Sequence, residues 1–425
     1  MRRPALLLIG LLAAPALAGP PSWPQWQGPK RDNLSTEKGL LAAWPEKGPR
    51  LLWSVDDLGG GYSTPTFDQG MIFGLSYQGD DEVVWARTLD RAKPIWTRKI
   101  ATANRVVDYH EGSRSSPTIE GERLYALGVS GDLVCLRVKD GEPVWRVNLI
   151  KDFGGILPFY RESYGYTESP LIDGPMVLAT PGGDKHTVVA LDKMTGKRLW
   201  SAAVPSKKKG DNRAAYSSLV ASEVGGVRQY AQFLQGCVIG VSHKGKLLWR
   251  WDKPSNDIAN CTTPIFTGDL VFASSGYGKG CGLARIVSKA GEPGGVSPRS
   301  FAVEEKYFNK AMKNVHGGIL LTGGHVYGNS DPGMLVCVEL KTGKATWQER
   351  AAGKGAILYA DGHLYYRDER GPMLLIEANP EKYVEKGRFT PAFRTKYNAW
   401  AHPVVLDGRL YLREQQYLMC YEIKK

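Results

Sequence analysis

Residues 188–200, VVALDKMTGKRLW, set two short runs of apolar and polar positions on either side of a turn holding Asp192 and Gly196, and end on Trp200. Such runs about a tight turn predict a β-hairpin. The pattern returns as VCLRVKDGEPVW to Trp145, VIGVSHKGKLLW to Trp249, VCVELKTGKATW to Trp347 and, more loosely, VVWARTLDRAKPIW to Trp96. From Trp53 through Trp96, Trp145, Trp200 and Trp249 the steps are about 43, 49, 55 and 49 residues, and Trp347 follows after about 98, twice the period. A strand repeat near fifty residues predicts propeller blades.

Eight segments of small residues open the repeats: STPTFD at Ser63, SSPTIEG at Ser115, ESPLIDG at Glu168, SSLVASEVGG at Ser217, TTPIFTG at Thr262, GGILLTG at Gly317, GAILYADG at Gly355 and AHPVVLDG at Ala401. Small side chains suit strands that converge on an axis. Each unit of about 47 residues holds four strands of ordinary length. The expected fold is all-β, an eight-bladed β-propeller of four-stranded antiparallel blades over residues 51–425. The last unit, from Trp400, stops one strand short, whereas LLWSV at 51–55 is a lone outer-type strand with Trp53 in the repeat position. Joining the two closes the ring and removes an open edge. Residues 19–50 are rich in Pro and Trp and lack alternation, so an extended arm is expected, with Trp23, Trp26 and Trp44 buried against the propeller's outside. The fifth and seventh units lack the repeat tryptophan, and the outer strand of the fifth is expected around residues 301–304.

Composition adds a compartment. Residues 1–18 carry Arg2 and Arg3, an apolar run, and Ala16-Leu17-Ala18, the pattern of a secretory signal peptide cleaved after Ala18. No later apolar run reaches the ~18 residues of a membrane-crossing helix. A periplasmic or secreted monomer is expected, with no lipid-attachment cysteine behind the cleavage site. The formal charge of +12 falls to +10 without the two signal arginines, which favours acidic neighbours such as envelope polysaccharide, lipid head groups or an acidic protein. Export argues against nucleic acid, and Lys207–Lys209 reads as a solvated turn.

ALDKMTGKRLW and its weaker copies resemble the tryptophan-docking repeat of the pyrroloquinoline-quinone (PQQ) type, quinoprotein alcohol dehydrogenase-like eight-bladed propellers. The resemblance covers nearly the whole mature chain and extends to secreted relatives of the propeller lipoprotein of outer-membrane β-barrel assembly. It implies that Trp53, Trp96, Trp145, Trp200, Trp249 and Trp347 each lock one blade against the next. The family's fold serves both dehydrogenases and non-enzymatic scaffolds. A dehydrogenase of this type needs an Asp base, a Ca²⁺ held by Glu, Asn and Asp, a Trp floor and two adjacent cysteines. None of the six cysteines is adjacent to another, and the loops that would supply the calcium-binding Glu read PGGDKH and SGD. PQQ with Ca²⁺ therefore belongs only to an alternative reading, an alcohol or sugar dehydrogenase with a divergent site. No catalytic residue and no metal ligand is assigned, and no spacing resembles a zinc site.

Cys135, Cys337 and Cys420 share one repeat position in separate blades and are too far apart to pair. Cys237, Cys261 and Cys281 fall on one face of the fourth and fifth units, where an oxidising compartment favours a disulfide of Cys261 with Cys237 or Cys281. The residues just ahead of the inner strands ring the mouth of an axial funnel: Tyr62, Arg114, Tyr166 with Glu168, Tyr216, Asn260, His316, and Trp400 with His402. Two long entering loops add His110 and Glu111, and then Tyr160, Arg161 and Glu162. Aromatic faces beside Arg, Glu and His suit a sugar, quinone or peptide. The leading expectation is a non-catalytic ligand- or protein-binding module acting at this face on a small molecule, glycan or envelope protein. The alternatives are the quinoprotein dehydrogenase and a cell-envelope assembly scaffold working through a blade edge or the arm.

Overall fold

The structure, a computed structural model, describes residues 21–157, 163–289 and 299–425. The expected signal segment and Tyr160, Arg161 and Glu162 lie outside the described residues. Eight four-stranded antiparallel sheets form, and the one helical turn described is Leu149–Phe153. In blade 1 the strands Thr66–Asp68, Met71–Gln78, Asp81–Thr88 and Pro94–Thr102 pair in chain order. Met71–Gln78 and Asp81–Thr88 are buried on both faces because sheets stack on either side, so they read as apolar runs. The outermost strand, Pro94–Thr102, alternates towards solvent.

The first strand, Arg50–Val55, pairs antiparallel with Tyr417–Glu422 and completes blade 8, with Trp53 opposite Cys420. Ring closure from the two chain ends is thus observed. Buried Arg413 binds the seam: its guanidinium donates to the carbonyls of Ser63 and Leu75, to Ser76 Oγ at 2.7 Å and to Gln415 O, joining blade 8 to blade 1.

Six tryptophans, Tyr307 and Gly387 share one register, the residue just after a bulge in each outer strand. Trp96, Trp145 and Trp200 lie on Gly141, Gly196 and Gly245, turn glycines of the next blade, where any Cβ would meet the indole within 3 Å. Trp96, Trp145 and Trp347 also donate Nε1–H across the junction, to the carbonyls of Val138, Lys193 and Asn379 at about 3 Å. Tyr307 stands in for the missing tryptophan of blade 5. Its ring covers Gly343 and its hydroxyl donates to Leu340 O at 2.8 Å. The outer strand there is Ser300–Asn309, longer than the expected 301–304. Blade 7 carries Gly387 at this position, and Trp44 from the arm lies over it, 4.9 Å edge-on to Phe389. Trp249 departs from the pattern: it turns into its own blade, where Nε1–H donates to Gln229.

Small residues at the convergent strands also carry polar links. Ser116 N–H donates to Ser169 Oγ, Ser169 N–H to Ser218 Oγ, Ser217 Oγ to Thr262 O and His402 N–H to Thr64 Oγ1, each between neighbouring blades.

The leading part of the arm, with Trp23 and Trp26, does not lie on the outside as expected, whereas Trp44 does pack on an outer strand. Trp23 exchanges backbone hydrogen bonds with Phe67, Pro24 O accepts from Ile119, and Ser35 N–H and Asn33 O pair with Tyr359. Arg31 donates to Ser169 O and Pro170 O, Asn33 to Ile319 O and Ser35 Oγ to Val405 O. Those partners belong to the inner strands of blades 1, 2, 3, 6, 7 and 8 or to the residues leading into them, so residues 22–35 thread the axial channel. The chain then crosses the far face, where Leu40 N–H meets Asp361 and Leu41 N–H meets Ile423 O, passes over blade 7 at Trp44 and enters blade 8 as Arg50–Val55.

Arg413→Ala leaves four acceptors at the seam without their donor. It should cost ~3 kcal/mol or more in urea unfolding, with no change in the sheet signal of the folded baseline.

Candidate functional site

The inner strands enter from one face, and the residues ahead of them surround a pocket of about 310 Å³. Two loops build much of its wall. Arg114 holds them together: its guanidinium donates to Tyr164 O and to the carbonyls of Asp108 and Tyr109, and lies over the rings of Tyr62 and Tyr164. Ring contacts then run without a break from Tyr216 to Tyr164, Tyr109, Trp400 and Tyr62, with centroids 4.6–5.6 Å apart. Because Tyr216 precedes blade 4 and Trp400 precedes blade 8, this aromatic chain spans the mouth. Trp26, at the turn of the threaded arm, sits 4.4 Å from the ring of His402 and forms the floor.

The charged groups are paired within the site. Glu369 accepts from Trp400 Nε1–H at 3.1 Å and lies 3.1 Å from His316 Nε2. Tyr62 donates to Glu111 at 2.8 Å, and burial together with that carboxylate pushes its hydroxyl well above the ordinary range. Lys354 faces Asp331 at 3.9 Å. Burial lowers His316 to about 4 and His402 to about 3 from 6.5, so both imidazoles are neutral at pH 7.

Of the residues expected at the funnel mouth, Tyr62, Arg114, Tyr216, His316, Trp400 and His402 line the pocket together. Glu111 stands behind Tyr62, and His110 is an exposed loop residue. Three others belong to the interior instead. Tyr166 is buried and donates to Pro181 O at 2.8 Å. Glu168 is buried among Thr180 and Gln232, and burial raises it to about 7. Asn260 is fully buried, with its amide on Leu234 O and Gln235 O. These side chains turn into the interior instead: Tyr166 into its own blade, Glu168 between its own blade and the next, and Asn260 onto the backbone of the blade before it. Tyr109, Tyr164, Tyr277, Lys354, Glu369 and Trp26 are among the other lining residues. Tyr109 and Tyr164 sit in the two long entering loops and Tyr277 in the Gly-rich turn GYGKGCG of the fifth unit, but neither spacing nor residue type tells them from their neighbours.

All six cysteines are free thiols, so the expected disulfide of Cys261 with Cys237 or Cys281 does not form. The three side chains occupy separate surroundings. Cys237 packs in the core beside Asp211 O, Cys281 meets Asn309 Oδ1 at 3.5 Å in another cluster, and Cys261 lines the pocket.

The Ca²⁺ of a PQQ site takes six to eight oxygens. Among the described residues Glu369 is the one carboxylate of the lining, and it is already bonded. No group of three or more His, Cys, Asp or Glu among the described residues could hold a metal. The residues present do not fit that pair.

Residues 32–155 and 93–349 match the family described as outer membrane protein assembly factor BamB. The outer membrane protein assembly factor BamB of Nitrosomonas eutropha is 23% identical over 323 residues, 74% of this chain and 68% of that protein. Among solved structures, BamB from Moraxella catarrhalis superposes with a TM-score of 0.55 at 14% identity, covering 88% of this chain and 98% of that one. Quinohemoprotein alcohol dehydrogenase from Comamonas testosteroni gives 0.62 at 13% identity over 94% and 80%. At these identities the two structures show the fold alone.

Two outcomes follow from the site's chemistry. In the unfolded chain His402 takes up a proton below about pH 6.5, whereas in the fold it stays neutral to about 3, so stability is lost as pH falls from 6.5 towards 3. Glu82 and Glu168, both raised to about 7, act oppositely: stability declines as pH rises from 4.5 to 7. The difference between two proteins isolates the imidazole, and the melting temperature of His402→Asn minus that of the parent should climb steadily between pH 7 and pH 4. Separately, alkylation in denaturant without reductant should label six thiols by mass spectrometry.

Proposed function

The chain belongs to the family of the outer membrane protein assembly factor BamB, and on that premise we propose that it is a non-catalytic binding module of the periplasm or cell exterior that holds an envelope component in its funnel-face pocket. One observation carries this reading: a pocket walled by a continuous aromatic chain whose charged groups, Arg114 and Glu369, already bond within the protein. Catalysis by acid and base wants a titratable group near the working pH and free to reach substrate. Here His316 and His402 are held neutral far below it. Aromatic lining with a few fixed polar groups is the composition of a recognition site. The sequence pattern at residues 1–18 supports export, and no helix among the described residues is long and apolar enough to cross a membrane.

A photo-crosslinking residue tests the face. Placed at position 277 it should yield adducts in envelope extracts, which Arg114→Ala should abolish by loosening both wall loops. Placed at position 199, exposed on an outer strand, it should yield none. Equal capture at both positions would remove the funnel from the reading. Dye-linked oxidation of alcohols or sugars after addition of PQQ and Ca²⁺ would overturn its non-catalytic half.

A further inference from the structure

The binding reading of the funnel face is the premise here, and the groups left without partners name the ligand chemistry. Ten non-glycine residues among those described adopt positive φ, and the two aromatic ones, Tyr109 at 50° and Tyr277 at 55°, both line this pocket. A bulky side chain in that conformation is a strained outlier. Both are also about 40% exposed, so their phenol rings stand out over the mouth, Tyr109 with one edge against Trp400 and Tyr164.

His402 supplies a second, independent sign. It is 4% exposed and lines the pocket, yet its buried Nδ1 has no hydrogen-bond partner among the described residues. A neutral imidazole donates from one nitrogen and accepts at the other. The hydroxyls of Tyr109, Tyr164 and Tyr277 likewise find no partner among the described residues, and each can donate and accept. The charges, by contrast, are occupied: three backbone carbonyls take Arg114, and Glu369 serves Trp400 and His316.

What remains open is a set of neutral groups, able to give and to take a hydrogen bond, among flat rings. An anion would have to draw Arg114 away from the loops it fastens or Lys354 away from Asp331. A purely apolar ligand would leave His402 buried and unsatisfied. Sugar hydroxyls both donate and accept, and the C–H face of a pyranose packs flat on an aromatic ring. We propose that the pocket binds a neutral pyranose unit of an oligosaccharide, with its flat face on the rim tyrosines and its hydroxyls on His402. Tyr277 also borders the neighbouring cleft of Lys207, Asp252 and Asp257, which gives a longer glycan a way out of the pocket.

Full-length protein titrated with maltohexaose, cellohexaose and chitohexaose, and with hexagalacturonate as the acidic counterpart, decides this through tryptophan fluorescence and saturation-transfer NMR. At least one neutral hexamer should bind more tightly than hexagalacturonate, and Tyr109→Ala and Tyr277→Ala should each weaken it about fivefold. Melting curves verify that the variants fold, and Tyr→Leu, which keeps bulk without a flat ring, replaces any that does not. Absence of neutral binding at roughly 10 mM, tighter binding of the acid, or unchanged affinity in both folded variants overturns the proposal. Crosslinking at position 277 separates the two levels: adducts without sugar binding refute the glycan and leave the binding module standing, whereas failure of both removes the premise.

Discussion

Eight inner strands facing one axis present eight unpaired edges, and buried backbone groups need partners. That constraint organises the molecule. The hydroxyl links between neighbouring blades satisfy part of it, and the threaded segment 22–35 satisfies more by pairing with Phe67, Ile119 and Tyr359 and by sending Arg31 to the carbonyls of Ser169 and Pro170. Only because the channel is filled does the funnel have a floor, and that floor is Trp26. The funnel-face pocket therefore depends on residues that precede the first blade.

The same economy governs the blade junctions. A large ring on a turn glycine is the repeated solution, and where the repeat lapses another residue takes the place: Tyr307 in blade 5, and Trp44 from the arm in blade 7. Burial of such rings contributes ~1.5–3 kcal/mol each. A nearest-neighbour array needs coupling of this kind at every junction.

Sequence carried the ring a long way. Blade number, four-strand units and closure by residues 51–55 were all legible, because each rests on a local signal: turn chemistry, small inner residues, a repeated Trp. The arm was misplaced for the opposite reason. Its residues have no periodicity of their own, and their partners lie as far away as Val405, so nothing near Trp23 or Trp26 tells inside from outside. At the pocket, position ahead of an inner strand identified Tyr62, Arg114, Tyr216, His316, Trp400 and His402. It could not give side-chain direction, and Tyr166, Glu168 and Asn260 turn inward to answer backbone needs that only the assembled blade creates. The cysteines failed likewise, since a shared face does not bring two sulfur atoms within bonding reach.

Threading also sets an order of events. Residues 22–55 are synthesised first, yet their partners include Val405 and the strand Tyr417–Glu422, which are synthesised last. Contacts this distant form only after a large loop-closure entropy has been overcome. A nascent chain thus carries a tryptophan-rich segment that can meet Phe67 and Ile119 early but lacks Tyr359 and Val405 until the later blades have emerged, so the spindle is fully gripped only when the ring is nearly complete.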